Sequence, residues 1–247
     1  MYTHHRFDHE YPVPGVAVSR YVVCAVPRSG SSLLCELLML SGLAGAPTEY
    51  FDRTQMDRFM QQWDVPDLAG YLQQLQHRKT GPNGLFGAKL HHGQMIDVFG
   101  PDGLGAALPD LRAISITRED RVAQAVSYSL ASQTGRWAST HTPDRVRPRY
   151  RRSEIARLLS EIEAQESGWD RWYERHGVEP LRVVYEELVE DPWGHVEQVL
   201  AFLGVRSALP SPLPVPTLEA QADVRSRRWS RRFRSARGAT RRGPGDS

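Results

Sequence analysis

At 247 residues the chain is long enough for one sizeable α/β domain with a substantial core. Hydrophobic residues at 40% and charged residues at 24% are ordinary for a globular protein, and no apolar run approaches the roughly 20 residues that span a bilayer. A formal net charge of +2 excludes a uniformly basic surface, even though arginines crowd between Arg225 and Arg242.

The N-terminal stretch carries His4, His5, Arg6, Asp8, His9 and Glu10 and no apolar segment of the kind a secretory signal needs. It is expected to be flexible through residue 19, and the protein is expected in the cytoplasm. Residues 20–26 (Arg20 to Val26) are an apolar run that reads as a buried strand. Pro27-Arg28-Ser29-Gly30-Ser31-Ser32 is a tight small-residue turn, and Leu33, Leu34, Leu37, Leu38 and Leu40 mark a helix over 31–41. Strand, turn and helix start make a phosphate cradle. The N–H groups of a first helical turn lack internal partners, and the helix dipole adds positive charge where they converge. The pattern G-x-x-x-x-G-K-[ST] of a nucleotide P-loop is absent; Arg28 supplies the cation and Ser31 and Ser32 the hydroxyls. Cys24 and Cys35 read as packing thiols, with no disulfide and no metal-binding spacing. No metal is expected.

After Gly42 comes Ala44-Gly45-Ala46-Pro47-Thr48-Glu49-Tyr50-Phe51-Asp52. Glu49, a carboxylate set among apolar and aromatic residues just after the anion-binding helix, is a candidate general base. Helices are predicted over 55–63 and 67–78, broken at Val65-Pro66. A turn at 80–84 precedes a strand over 85–90, after which His91 and His92 are adjacent rather than at metal-ligand spacing. A strand over 111–117 and a helix over 120–133 follow. Ile155, Leu158, Leu159, Ile162, Trp169, Trp172 and Tyr173 give helical periodicity to 153–175, with both tryptophans read as packing. A strand over 181–185 leads to Asp191-Pro192, cap and first-turn chemistry for a helix over 193–203. Alternating strands and helices predict a mainly parallel sheet with ligands at its carboxyl ends.

Arg28-Ser29-Gly30-Ser31-Ser32, the short helix, and Gly45-Ala46-Pro47-Thr48-Glu49-Tyr50-Phe51 together resemble the sulfotransferase family typified by the trehalose 2-sulfotransferases. The resemblance continues through Gly87-Ala88-Lys89-Leu90, through 117–127 (Thr117 to Ser127), and to Gln221-Ala222-Asp223-Val224-Arg225-Ser226. Val184-Tyr185-Glu186-Glu187-Leu188 and Phe202-Leu203-Gly204 add support for the fold. The resemblance implies a P-loop-like three-layer α/β fold over 20–237, followed by a disordered basic tail over 238–247. It also implies transfer of a sulfuryl group from 3′-phosphoadenosine 5′-phosphosulfate to a hydroxyl, commonly on a sugar, by a homodimer.

On that resemblance Arg28, Ser29, Gly30, Ser31 and Ser32 hold the donor's 5′-phosphosulfate, and Arg118 and Ser127 its 3′-phosphate. A guanidinium and a hydroxyl are apt donors to phosphate. Arg118 could alternatively be an exposed partner of Glu119 or Asp120. Lys89 either helps Arg28 to offset charge on the leaving phosphate or lies outside the pocket in an ion pair. Ala46, Pro47, Thr48, Glu49, Tyr50, Phe51 and Asp52 form the implied acceptor segment, with Tyr50, Phe51 and Trp63 as candidate stacking surfaces. Pro27 replaces a familiar glutamine and the region 52–84 is short, so the acceptor is expected to be a carbohydrate or glycosylated metabolite rather than trehalose specifically. Arg225 is implied at the donor. The competing readings are a kinase using ATP and Mg, and a nucleic-acid-binding protein acting through the arginine-rich end; no nucleic-acid motif accompanies those arginines.

Overall fold

The computed structural model describes residues 8–11, 17–138, 146–218 and 223–240, without the side chains of 236–240. In chain order the elements are β1 (Ser19–Ala25), α1 (Ser31–Leu40), α2 (Arg53–Gln62), α3 (Leu68–Lys79), β2 (Leu85–His91), α4 (His92–Phe99), α5 (Gly103–Ala107), β3 (Leu111–Thr117), α6 (Arg121–Thr134), α7 (Arg152–His176), β4 (Leu181–Val184), α8 (Tyr185–Glu190), α9 (Pro192–Phe202) and α10 (Val224–Thr240).

The four strands form an all-parallel sheet in the order β2-β1-β3-β4. β1 lies at the centre and explains the layering. Successive strand residues face opposite sides of a sheet, so Val22, Cys24 and Val26 join the core under α6, α7 and α10, while Tyr21, Val23 and Ala25 join the core under α1, α8 and α9. A strand covered on both faces is apolar at every position, which is why 21–26 reads as an unbroken hydrophobic run. The result is the three-layer arrangement expected from the sequence.

The chain leaves β1 toward β2 on one side, and β3 lies on the other. A crevice therefore opens at the carboxyl ends of β1 and β3, the place where open parallel sheets bind ligands. Trp169 Nε1 donates to the carbonyl of Ala25 at 2.9 Å, fixing the end of β1 from the α7 layer.

Several elements depart from the sequence reading. β4 ends at Val184, and Tyr185 begins α8 instead of ending the strand. α4, α5 and α8 are short helices where connecting chain was expected. Val224 to Thr240 is helical rather than a loop leading to a tail, because Trp229 and Phe233, one turn apart, bury against the α6 layer. Gln221, Ala222, Arg241 and Arg242 lie outside the described residues. Residues 8–11, expected to be flexible, are docked. Arg58 meets Asp8 at 2.9 Å, the Tyr11 N–H donates to the Arg78 carbonyl at 3.2 Å, and the Lys79 ammonium donates to the His9 carbonyl at 2.7 Å.

Candidate active site

The turn after β1 has the backbone of a cradle. Arg28 and Gly30 both have positive φ, at 67° and 94°, and Gly30 is the N-cap of α1. A Cβ at Gly30 would fall 2.2 Å from Cδ2 of Tyr185, so only glycine fits under that ring. The ring belongs to the first residue of α8, which places this glycine beside the end of β4 as well as β1.

The Glu49 loop is tied down by hydrogen bonds from buried groups. Tyr21 Oη donates to the Ala44 carbonyl at 2.7 Å, Tyr50 Oη to the Ala46 carbonyl at 2.5 Å, and Tyr71 Oη to the Tyr50 carbonyl at 2.7 Å. The Lys89 N–H donates to the Thr48 carbonyl at 2.8 Å, which fixes Glu49 next to the end of β2. Buried phenols must find acceptors, and here the acceptors are the loop's own carbonyls. This explains the aromatic residues. Tyr50 and Phe51 are 0% and 1% exposed and turn into the core, and Trp63 packs there against Phe59, so none of the three offers a stacking face. Ala46, Pro47 and Thr48 likewise support the loop from behind, while Glu49 and Asp52 reach the cavity.

That cavity is about 920 Å³ and opens over the carboxyl ends of β1, β2 and β3. Its wall includes Arg28, Gly30, Ser31, Ser32, Glu49, Asp52, Lys89, Arg118 and Ser127, so residues far apart in sequence meet as expected. Ser29 does not reach the wall. Its hydroxyl is buried and has no hydrogen-bond partner among the described residues. Arg225 also misses the wall and is exposed. Arg227, Arg231 and Arg234 line the cavity instead, on the side of α10 opposite Trp229 and Phe233.

Around Glu49 the charges are close. Lys89 Nζ is 2.6 Å from Glu49 Oε2, His91 Nδ1 is 3.3 Å from Oε1, and Gln94 Nε2 donates to Oε1 at 2.7 Å. The Gln94 amide is itself oriented by the His91 N–H, which donates to its Oε1 at 2.9 Å. Burial acts to raise the Glu49 carboxyl, but the Lys89 charge and the hydrogen bonds outweigh it and bring it down to about 2. Burial and the Lys89 charge likewise push His91 down to about 4, against the pull of Glu49. At neutral pH the group is therefore a carboxylate, a neutral imidazole and an ammonium. Lys89 lies in the pocket and pairs there with Glu49, so the alternative that set it outside the pocket does not hold.

At the other end, Arg118 is only 16% exposed, with its guanidinium 4.8 Å above the Tyr185 ring and Nε 3.6 Å from Glu186 Oε1. Its ion-pair partner is thus Glu186 rather than Glu119 or Asp120, although Asp120 also feels its charge. That Nε is buried and has no hydrogen-bond partner among the described residues. Asp120 caps α6 by accepting from the Ala123 N–H at 2.9 Å and pairs with Arg234. Burial works against its ionisation, but the cap bond and the cations hold it below the usual carboxylate range. Between the two ends Arg28 Nε donates to Ser127 Oγ at 2.9 Å and Nη1 donates to the Trp137 carbonyl.

A positive-φ turn at a helix N-terminus, and a buried Arg118 Nε that has an ion-pair partner but no hydrogen bond among the described residues, suit an anionic ligand. Sequence reasoning missed Gln94, Gln55, Tyr128, Trp137 and the α10 arginines. For α10 a signal existed: Arg227, Arg231 and Arg234 follow helical spacing on one side, with Trp229 and Phe233 on the other.

Residues 20–236 match the family described as Stf0 sulphotransferase. The trehalose 2-sulfotransferase of Mycobacterium tuberculosis is 32% identical over 259 residues, 89% of this chain and 96% of that protein. The trehalose 2-sulfotransferase of Mycolicibacterium smegmatis is 35% identical over 254 residues, 87% of this chain and 94% of that protein. A crystal structure of a sulfotransferase from Alicyclobacillus acidocaldarius is 19% identical, covers 91% of this chain and 94% of its own, and has a TM-score of 0.48, too loose a likeness to bear on the site. Among the described residues no helix is long and apolar enough to cross a membrane. With the family match running from β1 into α10, and both mycobacterial relatives matched over most of their length, the chain belongs to the Stf0 sulphotransferase family and is a sulfotransferase.

Proposed function

We propose that the chain transfers a sulfuryl group from 3′-phosphoadenosine 5′-phosphosulfate to a hydroxyl of a carbohydrate or glycosylated metabolite, with Glu49 as general base. The observation that carries this reading is the position of one ammonium. Lys89 Nζ is 2.6 Å from Glu49 Oε2 and 3.3 Å from Ser32 Oγ, so it stands between the anion cradle and the carboxylate. A base beside an anion cradle suits hydroxyl attack on a group held in that cradle. The two mycobacterial relatives are named for a sugar acceptor, which supports a carbohydrate here.

The N–H groups at the start of α1, the Ser31 and Ser32 hydroxyls and the Arg28 guanidinium would hold the 5′-phosphosulfate. Arg118 and Ser127 would hold the 3′-phosphate, with the α10 arginines adding positive charge to that wall. The donor, when bound, supplies an electrophilic sulfur with a phosphate leaving group. Glu49 takes the proton of the acceptor hydroxyl, while Arg28 and Lys89 offset negative charge on the leaving side; preorganised donors of this kind are often the largest electrostatic contribution to catalysis.

At about 2 the Glu49 carboxyl is a weak base, and its counter-charge is the Lys89 ammonium. Nζ already reaches Ser32 Oγ at 3.3 Å, so negative charge arriving in the cradle draws on the same ammonium and loosens its hold on Glu49, and burial then favours the protonated carboxyl. Proton acceptance and leaving-group neutralisation are thereby coupled through one ammonium.

The test is a transfer assay with the sulfuryl donor and a sugar panel led by trehalose, read by mass spectrometry. A sulfated product that Glu49→Gln forms far more slowly is the expected result. Most of the activity surviving in Glu49→Gln would remove the base assignment, and product forming only with ATP and Mg would replace the reaction class.

A further inference from the structure

With Tyr50, Phe51 and Trp63 committed to the core, the acceptor needs another apolar surface. The cavity wall offers one. Trp137, just past the end of α6, is 38% exposed, and among the exposed large hydrophobic residues that are described it is the one on this wall. It leans on Tyr128 of α6, with ring centroids 5.9 Å apart and planes at 65°, and Tyr128 is steadied by Glu161 Oε1 at 3.5 Å. An indole left part-exposed inside a charged cavity, and braced from behind, is a contact surface rather than a core residue.

Its place along the cavity is set by two observations. The Trp137 carbonyl accepts from Arg28 Nη1, so the indole is attached to the cradle end. Arg28 Nε in turn donates to Ser127 Oγ, the neighbour of Tyr128, so the pair stands where the cradle meets α6, on the cavity that Glu49 also lines. Burial raises the Tyr128 phenol most, followed by the Glu161 carboxylate it bonds, with Glu49 a lesser contributor. Polar groups line the same cavity: Asp52 and Gln55 from the start of α2, with the Gln55 Oε1 buried and without a partner among the described residues.

We propose that Trp137, backed by Tyr128, is the platform on which a pyranose ring of the acceptor stacks, with Asp52 and Gln55 receiving its hydroxyls. A sugar ring has an apolar C–H face and a rim of hydroxyls, and the cavity presents both kinds of partner, an aromatic face and polar acceptor groups. The platform rests on the proposed reaction, in which a hydroxyl must be brought to Glu49, and it adds the residue that selects a ring-shaped polyol. Because the same peptide unit touches Arg28, ring position and cradle position are fixed together.

The experiment is saturation-transfer NMR on the full chain with trehalose as probe, in the presence of 3′,5′-diphosphoadenosine, alongside calorimetry of the diphosphoadenosine alone. The expected result is transfer to the ring C–H protons of trehalose that weakens about tenfold in apparent affinity in Trp137→Ala, is largely kept in Trp137→Phe, and leaves diphosphoadenosine affinity unchanged in both. Trehalose transfer that is equal in Trp137→Ala and wild type overturns the platform. So does an absence of trehalose transfer in a protein that binds diphosphoadenosine tightly, and in that case the donor reading stands. Failure to bind diphosphoadenosine at all would instead remove the proposed reaction.

Discussion

Gly30→Ala is the substitution whose cost can be worked most fully from the geometry. The new methyl carbon would have to occupy a position 2.2 Å from the Tyr185 ring, and the residue would keep a φ of +94°. The backbone penalty for a side chain in the left-handed region is about 1–2 kcal/mol. Forcing a packed ring aside adds about 1–3 kcal/mol. In a domain of this size a loss of about 3 kcal/mol lowers Tm by roughly 6–12 °C. The ring also carries the Arg118 guanidinium 4.8 Å above it, so donor affinity falls with stability. Differential scanning fluorimetry and calorimetry with 3′,5′-diphosphoadenosine read the two effects. The Tyr185→Ala background separates them. Without the ring, Gly30→Ala should cost only the backbone share, about 1–2 kcal/mol. A Gly30→Ala protein with wild-type Tm and wild-type affinity would refute the tight cradle, and an equal cost in both backgrounds would refute the role of the ring.

Glu49→Gln should bind 3′,5′-diphosphoadenosine like wild type and lose about 10²–10⁴ in turnover, measured in steady state with saturating donor. The Glu49 carboxyl, held at about 2 when folded and 4.5 in the reference state, contributes stability that is complete above about pH 4.5 and disappears as pH falls through about 2. Lys89→Met leaves burial unopposed by that charge, so the acid limb of the activity profile should move upward, where a pH–rate series would show it. Phe233→Ala should cost about 3–5 kcal/mol in urea denaturation, because the ring is 2% exposed in the core and α10 is part of the domain. Turnover should persist in excess chelator, since Arg28, Lys89 and Arg118 supply positive charge at both ends of the cavity; loss of turnover that added Mg restores would contradict that assignment.

The parts of the fold legible in the sequence were those with a local signature. β1 is apolar on both faces and is followed by small residues and a leucine-rich helix, so strand, cradle and α1 could be placed from 20–41 alone. Glu49 was legible because a lone carboxylate among apolar residues has few structural uses. The direction of its neighbours was not. Tyr50 and Phe51 are stacking residues by type, and only the three-dimensional path of the loop, with Tyr50 Oη bonded back to Ala46, turns them inward. The same holds for α10. Its arginines dominate the composition and mask the helix, whereas a single apolar pair, Trp229 and Phe233, determines that the segment packs. Gln94 and Trp137 belong to the site through contacts across 45 and 109 positions, which no sequence period can encode.

The central claim is that the cavity over β1, β2 and β3 is built for a nucleotide with a 3′-phosphate. Calorimetry with 3′,5′-diphosphoadenosine, 5′-AMP and ATP-Mg on one preparation tests it directly. Tight binding of the diphosphoadenosine that needs the 3′-phosphate and weakens in Arg118→Ala is the predicted result. Preference for ATP-Mg, or no binding of the diphosphoadenosine, would contradict it.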